Sequence, residues 1–575
     1  MKTVSPGVFR RKLINAAPNV LPFIITFSHV CISPYTKVEE SFTLHAVHDV
    51  LSYGFDESNL PHWDHITFPG AVPRSFLPPI VLGLISYPFS ALGVSLGLIR
   101  TKLDVQILIR LILASIFSHT FNHLSKTVRT RFGSSVRIWF TLLSLTSFHI
   151  PYYASRTLPN FMALPGVLLS ISLILRAGSK SAPKSVSARR QKTAVILLTA
   201  LSTVIRLESA LFLIPLSVSL VFTRRATLSQ VVQWGMLGGF GSLAISSSID
   251  YTLWKPTIPH KSLPTFTSTW QILWPELSAL HYNFFQGQSS NWGIMPFHYY
   301  FTNSLPKILL TSLPLIVLSG LIWFSRLTGI NTKIAGKEGE KVYEGVGEII
   351  KLFGAGTVTL IGAMSLIGHK EWRFIIYSIP VFQLIASFSA TFLWNLPNYP
   401  RLRSLFRFGL IGLVLVNVSV TGGLIFLSMN NYPGGQVWKI LENLPDSKDR
   451  QITIHFPSYP LQTGSTLFTF LHQYQLNSTT HIGPYPPFPN QKEPKWIYSK
   501  SEEETFATPE GLWENNVDYV VTEEWDKYLG GIESGNEGRN SWKMVGEIEG
   551  LDGVSRGGKY GLKVNWARKL AILGR

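Results

Sequence analysis

Two adjacent carboxylates, Glu39 and Glu40, stand in the stretch TKVEESF, directly after the apolar run NVLPFIITFSHVCIS. A polar, histidine-rich stretch follows, LHAVHDV and then HWDHITFPGAVPRSF, which adds Asp64, His65 and Arg74. Further along, SRTLPN carries Arg156 and Asn160, and RLE sets Arg206 and Glu208 inside an apolar run. Asp250 closes another run, QSSNWG brings Asn291 and Trp292, and HKEWR brings His369, Lys370, Glu371 and Arg373. Acids and bases in these numbers suit base-assisted attack by a hydroxyl. A carboxylate takes the proton of the acceptor hydroxyl while a leaving group departs from the opposite face. If that leaving group is a lipid-linked monophosphate, Arg, Lys or His must stabilise its charge, and no metal is intrinsically required. Each cluster also has a plainer reading. Arg206 and Glu208 could pair to close a helix hairpin, Asp250 could simply end a helix, HKEWR could be a charged loop, and Glu39 and Glu40 could be solvated loop acids.

The elements that must position these residues are membrane helices. Of the 575 residues, 46% are hydrophobic and only 15% charged, against about 25% charged in a soluble domain. A crossing helix needs roughly 20 apolar residues. Such runs lie at 18–33, 76–98, 104–125, 137–153, 158–176, 193–223 (interrupted), 231–249, 305–325, 345–367, 373–394 and 405–428. The formal net charge of +18 comes largely from short loops between these runs, so it sets topology rather than binding nucleic acid. The basic loops at 10–12, 126–137, 178–192, 223–225, 332–341 and 401–407 are expected on the cytosolic side. Every polar cluster named above then falls on the opposite, luminal face, which reads as a polar cavity. Between the first luminal loop, 34–75, and residue 126 there are two apolar runs where an odd number of crossings is needed, so one is expected to be re-entrant or interfacial. The basic–apolar N-terminus is expected to remain as a signal anchor.

Two domains are expected. Residues 1–428 form a multi-helix transmembrane catalytic domain, and residues 429–575 a small luminal α/β domain with strand-like runs QITIHF, DYVVTEE and WKMVGEIEG. The sequon Asn477-Ser478-Thr479 suits that side, whereas Asn417-Val418-Ser419 lies in an apolar run and should be unused. The single cysteine, Cys31, excludes an internal disulfide and a thiolate metal site. No Gly-rich phosphate loop is present, which argues against an ATPase or a nucleotide-sugar enzyme.

PYTKVEESF, DHITFPGAVPRSF, SRTLPN, RLE, SSNWG and HKEWRF together resemble the dolichyl-phosphate-mannose-dependent mannosyltransferases of glycosyltransferase family 22, whose signature is HKExRF. The resemblance covers about 34–374. It implies an all-α polytopic GT-C-type fold in the endoplasmic reticulum membrane, with the active site luminal. It implies inverting transfer of mannose from dolichyl phosphate β-mannose to the seven-mannose dolichyl-diphosphate-linked oligosaccharide, in α-1,6 linkage. No cofactor or metal is expected, and the partners are those two lipid-linked substrates and membrane lipids. Family members carry an Asp-Glu pair where this chain has Glu39 and Glu40. The resemblance implies Glu39 as the base, with a reach one methylene longer, and Glu40 as an orienting or acceptor-binding group. It makes His369, Lys370, Arg373 and Arg206 candidates to hold the donor phosphate. Asp64, His65, Arg74, Arg156, Asn160, Glu208, Asp250, Asn291, Trp292 and Glu371 are candidates for substrate contacts. Two alternatives stay open: a sibling α-1,2-mannosyltransferase acting on lipid-linked oligosaccharide or glycosylphosphatidylinositol precursors, and a polytopic transporter, although no inverted repeat is present.

Overall fold

Long runs of apolar residues become helices in the computed structural model. It describes residues 6–70, 72–179, 182–257, 266–328, 336–396, 399–444, 451–471, 496–529, 542–557 and 561–575. The sequon at 477–479 lies outside them. The chain begins with α1 (Pro6–Ile32), α2 (Ser41–Tyr53), α3 (Asp64–Thr67), α4 (Leu77–Ser95) and α5 (Lys102–Phe132). Among the described residues six helices are long and apolar enough to cross a membrane: α4, α5, Pro159–Ala177, Glu338–Leu366, Trp372–Trp394 and Pro400–Met429. Tyr300–Leu309 and Ser312–Leu327, bent by 107°, make a seventh if they form one span. The chain is therefore a multi-pass, mostly helical membrane protein. The interrupted run at 193–223 is two helices, Lys184–Val204 and Ala210–Phe222. The backbone is extended at Arg206 between them (φ −155°, ψ 105°).

Two compact units form, and each draws on several stretches of chain. The first comprises residues 1–29, 68–78 and 111–423, and the second residues 30–67, 79–110 and 424–575. In lipid the hydrophobic effect does not drive helix against helix, so close packing and interhelical hydrogen bonds do that work. The first unit has both. Phe121 stacks on Phe117 and Phe140, with ring centroids at 5.8 and 5.3 Å. Gly356 lies so close to the neighbouring helix that a Cβ there would stand 2.6 Å from the Phe212 carbonyl oxygen. Thr127 meets Ser172 at 2.6 Å, Ser319 meets Ser389 at 2.6 Å, and Ser312 donates to Gln383 at 2.7 Å. Each such bond contributes about 0.6 kcal/mol, so the bundle rests on many of them. Asn417 is fully buried in the last membrane helix and accepts from the Thr311 hydroxyl at 2.7 Å, which leaves no accessible sequon there.

The second unit contains a five-stranded mixed sheet. Its strands are β1 (Ile452–His455), β2 (Trp496–Ser499), β3 (Tyr519–Thr522), β4 (Lys543–Arg556) and β5 (Leu562–Gly574), in the order β2-β1-β3-β5-β4. β1 runs parallel to β2 and β3, while β5 is antiparallel to β3 and β4. Trp438, Phe456, Phe470 and Tyr498 fill the core on one face, with the Phe470 and Tyr498 rings stacked at 4.5 Å. β1, β3 and β4 fall on the strand-like runs QITIHF, DYVVTEE and WKMVGEIEG, whereas β2 and β5 lie on none of the runs named from the sequence. From Pro79 onward α4 belongs to this unit, where Gly83 lets it approach Val50 of α2. Its opposite side exposes Val81, Leu84, Ile85, Phe89 and Leu92.

Candidate active site

In the second unit the acidic pair sits on one short 3₁₀ turn, Val38–Glu40, leading straight into α2. The two carboxylates differ. Glu40 is 1% exposed, and its Oε1 accepts the backbone N–H of Lys37 at 3.2 Å. Glu39 is exposed. Asp64 and His65 begin α3. Asp64 is inward-facing: its carboxylate meets His45 Nδ1 at 2.8 Å and the Lys500 ammonium. Those two partners hold it well below the usual carboxylate range against the opposing effect of burial. Its backbone N–H donates to Asp49 at 2.8 Å. His65 is buried with its ring edge-on to Trp63, at 5.8 Å.

In the first unit, the broken helix at 205–209 organises a charged cluster. The break releases the N–H of Leu207 from helical bonding, and Glu276 Oε2 accepts it at 2.9 Å. Arg206 Nε lies 3.5 Å from Glu208, and its Nη2 donates to Asn160 Oδ1 at 3.2 Å. Asn160 in turn donates to Glu208 at 2.6 Å. The Arg206 guanidinium lies over the Phe374 ring at 5.9 Å. From the HKEWR loop, Arg373 grips Glu371 through both Nε (2.6 Å) and Nη2 (2.7 Å), and His369 Nε2 reaches the same carboxylate at 3.1 Å. Arg74 shares this field. Burial, then Arg206 and Arg373, push its guanidinium down to about 10, while Glu276 and Glu208 oppose them. Burial and the nearby Glu208 push the Glu276 carboxyl up to about 7, against the attraction of Arg206 and Arg74. Three guanidiniums and three carboxylates thus converge, and a phosphate entering here meets planar donors suited to bidentate contact.

Other candidates lie inside the scaffold. Lys370 is 3% exposed and donates to the carbonyls of Met295 (2.9 Å) and Ile367 (2.5 Å). With Met295 N–H on Gly368 (3.0 Å) and Tyr300 Oη on the Glu371 carbonyl (3.2 Å), it clamps the HKEWR loop to residues 295–300. Asp250 is fully buried and accepts the N–H of Phe76 at 2.7 Å. Trp254 Nε1 holds the Arg74 carbonyl at 2.9 Å, so both residues fix the backbone that carries Arg74. Arg156 is 1% exposed, over the Tyr152 ring at 4.6 Å and bonded to the Tyr152 hydroxyl at 2.7 Å. Asn291 bonds Gln288 at 2.6 Å on an exposed turn, and Trp292 is exposed. Sequence reasoning missed Glu276. In WPELSAL it reads as an ordinary first-turn acid, which favours a helix N-terminus anyway. His45 entered only as part of the histidine-rich stretch LHAVHDV, and Lys500 was missed, since no motif marks it. No group of three or more His, Cys, Asp or Glu able to hold a metal ion occurs among the described residues.

The chain is 30% identical over 451 residues to a Drosophila melanogaster protein named Dol-P-Man:Man(7)GlcNAc(2)-PP-Dol alpha-1,6-mannosyltransferase. That match covers 78% of this chain and 58% of the relative, so the chain spans somewhat over half of that protein's length. It is 26% identical over 552 residues to a Saccharomyces cerevisiae protein of the same name, covering 92% of this chain and 86% of that one. The crystal structure of ArnT from Cupriavidus metallidurans in the apo state superposes with a TM-score of 0.52 at 11% identity, covering 99% of this chain and 98% of ArnT. That likeness places the fold in the GT-C class. The model of the Alg9-like mannosyltransferase family matches residues 20–465, and the chain belongs to that family.

Proposed function

We propose that this protein transfers mannose from dolichyl phosphate mannose to the seven-mannose dolichyl-diphosphate-linked oligosaccharide in α-1,6 linkage. The reaction takes place in the endoplasmic reticulum membrane with the active site and the sheet domain luminal. One observation carries the reading. Arg74, Arg206 and Arg373 converge in a chain that aligns along 92% of its length with a relative named for this transfer. A leaving dolichyl phosphate needs such donors.

The step balances without a metal. The acceptor 6-hydroxyl oxygen attacks the anomeric carbon, and its proton passes to the Glu39 carboxylate. The bond from the anomeric carbon to the phosphate oxygen breaks, the electron pair leaves with the phosphate, and the β-configured sugar becomes α. Glu39 suits the base because it is exposed, so substrate reaches it and solvent can take the proton onward. Glu40 suits an orienting role because it is buried and bonded to Lys37 N–H. Arg206 and Arg373 would contact the donor phosphate, with Asn160, Glu208 and Glu371 holding them in place.

The test is transfer by purified protein supplied with dolichyl phosphate mannose and a synthetic seven-mannose lipid-linked acceptor, with the product linkage determined. One added α-1,6 mannose is expected, with Glu39→Gln lowering kcat by about 10²–10⁴-fold. An α-1,2 product would move the chain to a sibling activity. No transfer to any mannosyl acceptor by folded protein would sink the proposal.

A further inference from the structure

Within the second unit, residues on both sides of the acidic pair are held by the chain that follows residue 424. Before the pair, Lys37 Nζ donates to the Asn431 carbonyl at 2.6 Å and lies 4.9 Å from the centre of the Tyr432 ring. The Tyr35 ring occupies a cradle at Gly435, where a Cβ would stand 2.3 Å from it. The Pro34 carbonyl accepts from Gln106 at 2.9 Å, and Gln106 accepts from Thr466 at 2.9 Å. After the pair, Lys500 reaches Asp64, whose other carboxylate oxygen meets His45 on α2. The side chains of Lys500, Asp64 and His45 are only 11, 14 and 10% exposed. α2 starts at Ser41, so His45 lies about one turn into the helix that follows Glu40.

We infer that the sheet domain positions the acidic pair, with Lys500 as the positioning residue that acts through Asp64 and His45 and Lys37 as its counterpart on the other side. The inference rests on the proposed transfer reaction and on Glu39 as its base. Lys500 is the informative member. It lies one residue beyond β2, in a region with no family motif, yet its ammonium and the His45 ring together satisfy the buried Asp64 carboxylate. Removing the ammonium leaves a buried carboxylate with one partner, which forces α3 and α2 to readjust. A displacement of about 1 Å at a reacting group costs about a hundredfold in rate. Such a displacement changes the reaction step rather than donor capture.

The experiment compares wild type, Lys500→Met, Lys500→Arg, Asp64→Asn/Lys500→Met and Lys37→Met, each purified in detergent and eluting as wild type does. kcat and the KM for each substrate are measured in the mannose-transfer assay. Lys500→Met is expected to lower kcat about ten- to hundredfold, with both KM values within about twofold. Lys500→Arg should restore most of the rate, and the double variant should be no worse than Lys500→Met. Lys37, partly exposed, gives a second variant that tolerates substitution, and Lys37→Met should show the same split. If wild type transfers mannose while Lys500→Met and Lys37→Met keep its kcat, the inference is overturned. It is also overturned if Lys500→Met raises only the acceptor KM, which would make Lys500 a glycan contact. A wild-type protein that transfers no mannose removes the functional reading and this inference with it.

Discussion

Glu276 carries the most direct pH prediction. Its side chain is buried beside Arg206 and Arg74, and its carboxyl titrates at about 7 instead of the ordinary 4.5. At about 1.4 kcal/mol per pH unit, the ionised form is disfavoured in the folded state by ~3 kcal/mol. The folded protein holds this proton more tightly than the unfolded chain. The penalty is therefore absent below pH 4.5, grows between 4.5 and 7, and is complete above 7. Glu276→Gln removes the ionisation while keeping an oxygen for the Leu207 N–H bond at 2.9 Å. The variant should be more stable than wild type by ~3 kcal/mol at pH 8 and by only ~1 kcal/mol at pH 5. Paired thermal unfolding of detergent-solubilised protein from pH 5 to 8 measures this as a widening gap between midpoints. On the proposed reading the same proton governs donor binding. Protonated, Glu276 leaves three guanidiniums facing only Glu208 and Glu371. The wild-type donor KM should then rise as pH passes 7, while that of the variant stays flat. A midpoint gap that is constant across pH, or a variant less stable than wild type at pH 8, would refute the reasoning.

Lys370→Met should destabilise the protein rather than act first on donor affinity, because the ammonium is engaged by the Met295 and Ile367 carbonyls. Two charge-assisted bonds lost together cost about 3 kcal/mol, read as a lower thermal midpoint with faster proteolysis near residues 284–297. An unchanged midpoint with a raised donor KM would return Lys370 to the phosphate site. Arg373→Lys loses the fork that spans both oxygens of Glu371, and a lysine cannot reproduce it. The donor KM should rise about tenfold, equivalent to ~1.4 kcal/mol, with the midpoint nearly unchanged; a donor KM equal to that of wild type would exclude Arg373 from donor binding.

Much of this was legible because charge inside apolar sequence is conspicuous. RLE and HKEWR stood out for that reason, and both do converge in the first unit with Arg74 and Asn160. The broken run at 193–223 and three of the five strands of the tail, β1, β3 and β4, are likewise readable from pattern. Sequence does not reveal which way a polar side chain turns. Lys370, Asp250 and Arg156 look like ligand groups in a motif, but each is buried and bonded to the scaffold. Glu276 and Lys500 fail in the opposite sense: they look ordinary, and their significance comes from neighbours far away in the chain. Nor does linear order reveal the two units. The second assembles three separate stretches, so a boundary drawn once near residue 428 cannot describe it.

The acidic pair shows why the surrounding hold matters. In this chain the first acid is Glu39, whose longer arm has one more rotatable bond than an aspartate. A longer arm places its carboxylate less narrowly for the same backbone, and confining it costs further side-chain entropy, of order 0.5–1 kcal/mol. The backbone beneath it must then be correspondingly fixed. In the second unit it is fixed from several directions: Glu40 closes the turn on Lys37 N–H, Lys37 bonds Asn431, Tyr35 fills the Gly435 cradle, and His45 is held through Asp64 by Lys500. Of the pair, Glu40 is drawn into this framework by its own buried side chain, while Glu39 is exposed. On the proposed reading this division is what the reaction uses: the buried Glu40 carboxylate holds the turn, and the exposed Glu39 carboxylate meets the acceptor hydroxyl.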